Sequence, residues 1–527
     1  MLINETNLDP VEFDPFAGPE LSCVAPAIEP QSEIWISCLM GGDDANRCYN
    51  ESVSLRLTGT FDKNAMELAL QDVINRHEGL RSAFSADGKQ ILVFKELPLN
   101  LIFEDLSAKN EDQQKKFITD FAKRDAETSF DLLSGPLFRP ALFKLSDQQY
   151  YLTLSAHHIV CDGWSLGILM QDISKLYSAY AKKQTPSLQA ALRFSQFAVE
   201  QNNFSHTEEY KKIEQYWIDQ YKDEAPILNL PTDFPRPAER TYKSHRDDFV
   251  LDAELVAAVK KMGASAGCSF VTTLIASYEI FLHRLTGQKD IVFGLPAAGQ
   301  SVTNNYALIG HCVNLLPLRS NLEDGKTFIE YLKERKKKIL DDYDHQQFTF
   351  GSLLKKININ RDPSRVPLVP AVLNIDTGMD DGVSFEGLKH ELVYNPREYE
   401  SFEIFLNVTS SAQALVLEWS YNTQLFKSST IKNMMDEFEF LLRELIKDPS
   451  QQVKNIRSKG SETIKDKLKE WNNTVSSYPK NSSVHSLIDE RVLEFPEKIA
   501  LRFEGATTTF KKFNESANQL AGLLLKE

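Results

Sequence analysis

His157, His158 and Asp162 fall within one short string, Ser155-Ala156-His157-His158-Ile159-Val160-Cys161-Asp162-Gly163-Trp164-Ser165. A neutral imidazole accepts a proton, or holds an attacking amine, near neutral pH. An acid four residues after the second histidine can fold back and brace the loop. Gly163 permits a backbone conformation or a close approach that a Cβ blocks. The plain alternative is a pair of polar strand-end residues followed by an ordinary Asp-Gly turn. Cys161 follows Val160 and reads as a small apolar packing residue, not a nucleophile.

Two elements must position these groups. Tyr150 to Ser155 alternate as a strand does, with Leu152 and Leu154 on one face and Thr153 and Ser155 on the other. Leu166, Leu169, Met170, Ile173, Leu176, Tyr177 and Tyr180 then recur at helical spacing, and Ser165 is the expected N-cap. The histidines therefore sit on a strand-to-helix connection, where flanking elements hold a loop rigidly.

HHIVCDGWS resembles the HHxxxDG signature of the condensation domains of nonribosomal peptide synthetases, which belong to the chloramphenicol-acetyltransferase-like acyltransferases. Further strings resemble that family's motifs in the family's order. Gln31 to Trp35 resembles the first. Arg76-His77-Glu78-Gly79-Leu80-Arg81-Ser82-Ala83-Phe84 resembles RHExLRTxF. Arg193 to Val199 resembles YxDFAVW, with Gln196 at the Asp position. Ile309 to Arg319 resembles the fifth, with Asn314 and Arg319 in place, and Tyr343 to Phe350 the sixth. Arg361-Asp362-Pro363-Ser364-Arg365-Val366-Pro367-Leu368 resembles RDxSRNPL. One departure stands out. Many family members carry Arg where Gln300 stands, and Gln300 can donate a hydrogen bond to Asp162 but supplies no charge.

The rest of the chain fits this frame. It has 527 residues, 42% hydrophobic and 25% charged, enough for two or three soluble globular domains. A net charge of −15 without a basic patch argues against nucleic-acid binding. Phe270 to Leu285 is the longest apolar helix candidate, but Thr272, Glu279, His283 and Arg284 make it a buried helix, not a membrane span. No secretory signal is visible at the N-terminus. Six cysteines lie scattered without metal-ligand spacing, which reads as reduced thiols in a cytoplasmic protein and no metal site.

The expected fold class is α/β, an α+β sandwich of two chloramphenicol-acetyltransferase-like lobes in a V-shaped pseudo-dimer with a tunnel at the seam. The expected organisation is a leader over 1–20, an N-lobe over 21–200, a C-lobe over 201–450 and a linker over 451–470. Residues 471–527 resemble the truncated N-terminal part of an adenylation domain, without its phosphate loop. Asp376 to Asn395 reads as an irregular excursion between strands, corresponding to the family's floor loop.

The resemblance implies an acyltransferase that joins a carrier-bound acyl thioester, peptidyl or polyketide-type, to a carrier-bound aminoacyl acceptor. Phosphopantetheine arrives on donor and acceptor carrier proteins, and the domain itself binds no cofactor. Within the motif, His158 positions or deprotonates the amine, the Gly163 N–H faces the oxyanion, Asp162 shapes the loop and His157 serves the structure around it. Trp164, Ser165, Gln300 and Asn314 are candidate substrate-binding residues, with core packing the competing role for Trp164. Structural roles fall to Arg76, Arg81, Arg319 and Arg365, with ion pairs expected for Arg76 and Arg81. His311 and His345 lack a nearby acid in sequence and also read as structural. The remaining partner is the rest of the adenylation domain; nucleic acid and membrane are not expected partners, and the chain is expected to be monomeric. Rival readings are an epimerization domain, which shares HHxxxDG, and a non-catalytic recruitment module. A heterocyclization domain would show DxxxxD, and a BAHD-type acyltransferase a DFGWG-like motif.

Overall fold

The computed structural model describes residues 19–527 except 324, 360, 412 and 413. The leader expected over 1–20 lies outside the described residues save its last two. The described chain forms two compact units, Met1–Lys459 and Gly460–Glu527.

The first unit contains three sheets: two large ones, each with its own apolar core, and a small one in the order Leu21–Pro26, Gln90–Phe94 and Ser82–Phe84. The first large sheet has five strands in the order Leu388–Tyr394, Asn50–Gly59, Gln149–His157, Phe138–Ser146 and Ile102–Asp105. Alternation decides the faces: Leu55, Leu57, Leu152 and Leu154 are fully buried. Helices Lys63–Arg76 and Gly163–Ala181 cover them with Met66, Leu70, Val73, Leu169 and Ile173. Truncating one such leucine to alanine costs about 2–5 kcal/mol, because the cavity left behind adds to the lost transfer energy. Asp62 caps the first helix, accepting from Ala65 N–H at 3.0 Å.

The second sheet has six strands in the order Val313–Asn321, Asp290–Ala298, Ala371–Thr377, Ile404–Ser411, Ala414–Asn422 and Ser244–Leu251. Helix Phe270–Thr286 lies in the core beside it, with Phe281, Trp419 and Phe438 in mutual ring contact. Ser269 caps this helix and Gly287 ends it in the left-handed conformation.

The two halves are not simply consecutive. The stretch expected to be irregular contains strand Leu388–Tyr394, which leaves the second half and completes the first sheet, antiparallel to Asn50–Gly59. Its polar residues Lys389 and Glu391 masked it: as an edge strand it needs only one apolar face. Leu308, Ile309, Cys312, Val383 and Phe385 likewise pack into the first core. Two crossings from the second half thus pin the seam.

The second unit consists of helices Ser461–Trp471, Val484–Glu494 and Phe510–Leu524 and a hairpin, Ile499–Phe503 with Ala506–Thr509. The predicted linker over 451–470 therefore contains most of a helix, and the division between units falls at Lys459. Polar composition misled here, because an exposed helix is itself polar. No single helix among the described residues is long and apolar enough to cross a membrane.

Candidate active site

Strand Gln149–His157 delivers its last residue into the core, and the chain turns at His158. The turn is held from several sides. His158 N–H donates to Tyr49 O at 2.7 Å. Gln31, from the first motif, donates to Ile159 O at 2.9 Å. Gly79, from the second, lies so near Val160 that a Cβ there would stand 2.9 Å from its carbonyl oxygen. Motifs far apart in sequence thus meet on one loop.

Asp162, not Ser165, caps the following helix. Its Oδ1 accepts from Ser165 N–H at 2.8 Å and lies 2.7 Å from Ser165 Oγ. Gln300 Nε2 donates to Oδ1 at 3.2 Å and to Oδ2 at 2.9 Å, and Cys312 N–H donates to Oδ2 at 2.9 Å. This carboxylate is fully buried. Four neutral donors offset its desolvation where an ion pair is absent.

The two histidines differ sharply. His157 is sealed among Phe130 and Tyr49, with its Nδ1 accepting from Ile159 N–H at 3.3 Å. Burial, then the adjacent His158, pushes its pKa down to about 3. His158 keeps 22% of its side chain exposed. Its Nδ1 lies 3.0 Å from Nδ1 of His311, and its Nε2 lies 3.6 Å from Glu51 Oε1. His311 is buried, and burial and the neighbouring His158 hold its pKa well below the usual histidine value.

His158 and Glu51 line a cavity of about 1790 Å³ whose walls come from both large sheets of the first unit. Its walls include Gly163, Trp164, His311, Asn374, Asp376 and Arg397. Glu51 pairs with Arg397, which also pairs with Glu400 at 3.2 Å. Asp376 approaches Gly163: a Cβ on that glycine would lie 3.3 Å from Asp376 Oδ2. Close approach therefore explains Gly163. Its N–H is one of the first-turn donors that the helix leaves unused.

The condensation domain family model matches residues 23–467. The chain belongs to the condensation domain family. Surfactin synthase subunit 1 of Bacillus subtilis (strain 168) is 31% identical over 95% of this chain. The chain spans 14% of that relative's length. A four-domain nonribosomal peptide synthetase solved with AMP and glycine superposes with a TM-score of 0.78 at 19% identity, over 96% of this chain and 38% of that one. The first condensation domain of the calcium-dependent antibiotic synthetase, solved with a substrate analogue, gives 0.72 at 18%, over 83% of this chain and all of that one. At these identities the structures show the fold, a mixed α/β arrangement of the chloramphenicol-acetyltransferase type.

Within this condensation domain the remaining candidates separate. Trp164 is 41% exposed, lines the cavity and donates to Tyr306 O at 2.9 Å, so core packing does not describe it. Ser165 and Gln300 are fully buried around Asp162 and absent from the cavity wall. Asn314 reaches the wall, but its amide is spent on Gln346 O, Phe348 O and Phe350 N–H. Arg76 pairs with Asp172 at 2.8 Å, and Arg319 with Asp290 at 2.6 Å. Arg365 lies 3.4 Å from Glu403. Arg81 forms no ion pair among the described residues; it donates to the carbonyls of Asn75 and Phe94. Buried Glu78 accepts from Ser195 N–H at 2.8 Å and so holds the start of helix Phe194–Phe204. His345 stacks on Tyr216 away from the cavity.

Two residues, Glu51 and Asp376, escaped the sequence reading, and His311, read there as structural, lines the cavity beside His158. Asn374 and Asp376 alternate with Leu373 and Ile375 on a central strand, and polar side chains on one face of such a strand mark a cavity wall.

Proposed function

We propose that this chain forms an amide bond between a carrier-bound acyl thioester donor and a carrier-bound aminoacyl acceptor, as an acyltransferase. One observation carries the reading: the imidazole of His158, oriented by His311, on the wall of a large cavity lined from both large sheets. The cavity exceeds the roughly 300–1,000 Å³ of a single-ligand site, so two tethered reactants fit it.

In the competent tautomer the proton of His158 sits on Nδ1 and is donated to His311. Nε2 is then the acceptor for an amine N–H. The amine attacks the thioester carbonyl, the N–C bond forms and the C–S bond breaks. The amine's proton passes through Nε2 to the departing thiolate. The first-turn N–H groups of helix Gly163–Ala181 offer hydrogen bonds and the positive end of the helix to the developing oxyanion. An amine of pKa about 8 needs little help from a base, so holding both reactants together supplies most of the acceleration.

Phosphopantetheine arms of donor and acceptor carriers are the handles of these substrates. The sequence of residues 471–527 supports their reading as the start of an adenylation domain. The six free thiols suit a cytoplasmic setting. The test is incubation of this protein with donor- and acceptor-loaded carriers, followed by mass spectrometry of the acceptor carrier. The acyl–aminoacyl amide is expected on the acceptor; two loaded carriers that exchange nothing would overturn the proposal.

A further inference from the structure

Asp376 lies on strand Ala371–Thr377, on the same face as Asn374, and lines the cavity. Asn374 Nδ2 donates to its Oδ2 at 2.8 Å and also to Asn407 Oδ1 at 3.1 Å. Asn407 in turn donates to Glu418 at 3.0 Å, and Arg246 lies 3.8 Å from that carboxylate. The network fixes Oδ2 beside Gly163, at the head of the helix that follows the histidine loop. Oδ1 meets no protein donor among the described residues.

The surrounding charges make that open oxygen unusual. Glu51 has Arg397, Glu418 has Arg246, and Asp162 has its four neutral donors. Asp376 alone of these four carboxylates has neither a cation nor a full set of donors. A carboxylate held this way is stabilised by a cation that enters with the ligand. An α-amine of pKa about 8 enters mostly protonated at neutral pH, as a compact ammonium with three donors.

We propose that Asp376 contacts the acceptor's amine as its ammonium and holds it beside the His158 loop, so that Asp376 sets the requirement for a free amine. This rests on the amide-forming reading above. Burial, then the carboxylates of Glu51, Glu418 and Asp162, pushes the Asp376 carboxyl up to about 6, with the Asn374 hydrogen bond opposing. It is therefore ionised at neutral pH and loses its hold on an ammonium below that value.

The test uses alanyl-aminopantetheine, in which an amide replaces the thioester, and its N-acetylated form, titrated calorimetrically into the whole protein at about pH 7.5. The wild type is expected to bind the free amine about tenfold more tightly, as a charge-assisted hydrogen bond supplies. Asp376→Asn should bind both forms alike, with unchanged affinity for the N-acetyl form. Asp376→Ser provides the same comparison should the asparagine variant melt early. The wild-type preference should fade below about pH 6, and the variants should show no such change. A preference retained by the variants, or absent from the wild type, overturns the proposal. Intact amine preference without amide formation on loaded carriers would instead sink the amide-forming reading.

Discussion

The Nδ1 atoms of His158 and His311 face each other at 3.0 Å, edge to face, with ring centroids 4.8 Å apart. Only one of the two can carry the proton between them, and buried His311 stays uncharged. His311 is then an orienting hydrogen-bond partner, not a second base. Its replacement by leucine should lower kcat about 10- to 100-fold, since a slightly misplaced reacting group costs that much. His311→Gln should recover part of the loss. Both variants should keep the shape of the wild-type pH–rate profile. Loss of its acid limb would show that His311 itself titrates.

Asp162 and Gln300 form a buried pair without a positive charge. Asp162→Asn turns an acceptor of four donors into a group with two N–H of its own. It should lower stability by about 3 kcal/mol in urea unfolding, because buried donors lose their partner. Gln300→Leu should cost about 1–3 kcal/mol, and the double variant should cost less than the sum by a similar amount. Strictly additive losses would mean that the pair is not coupled.

Gly163→Ala places a methyl group 3.3 Å from Asp376 Oδ2, tighter than ordinary contact. The carboxyl must shift by a few tenths of an ångström. Activity should fall more than stability: a drop in kcat/KM of about tenfold or more with a melting temperature within a few degrees of wild type. A large fall in melting temperature with full activity would contradict this placement.

Glu33 accepts from Gly351 N–H at 2.8 Å across the seam. Burial pushes its carboxyl from 4.5 up to about 7. A carboxyl raised on folding contributes stability that is fully present below its ordinary value and lost as pH rises through the folded one. Glu33→Gln mimics the protonated form. It should match the wild type near pH 4.5 and exceed it above about pH 7 by roughly 2–3 kcal/mol. Unfolding curves across that range check the sign, and a gap that narrows with rising pH would refute it.

Local patterns announced much of this. Alternation exposed strand Gln149–His157, and apolar composition marked helix Phe270–Thr286. The HHxxxDG string pointed to His158. Relationships between distant segments stayed hidden. Nothing near His311 in sequence reveals that it touches His158, because their separation closes only when 308–312 crosses into the first core. Ser165 read as the cap because a serine before an apolar stripe is the commoner signal; Asp162 took that place with help from Gln300 and Cys312. Strand Leu388–Tyr394 was missed because its partner lies more than three hundred residues earlier.

One imidazole on the cavity wall, that of His158, is needed to join amine and thioester in the proposed reaction. This requirement is tested most directly by single-turnover transfer between donor- and acceptor-loaded carriers, comparing the wild type with His158→Ala by mass spectrometry of the acceptor carrier. The wild type should yield the amide product and the variant none at matched times, with an unchanged melting temperature. Near-native transfer by a folded His158→Ala protein would contradict it.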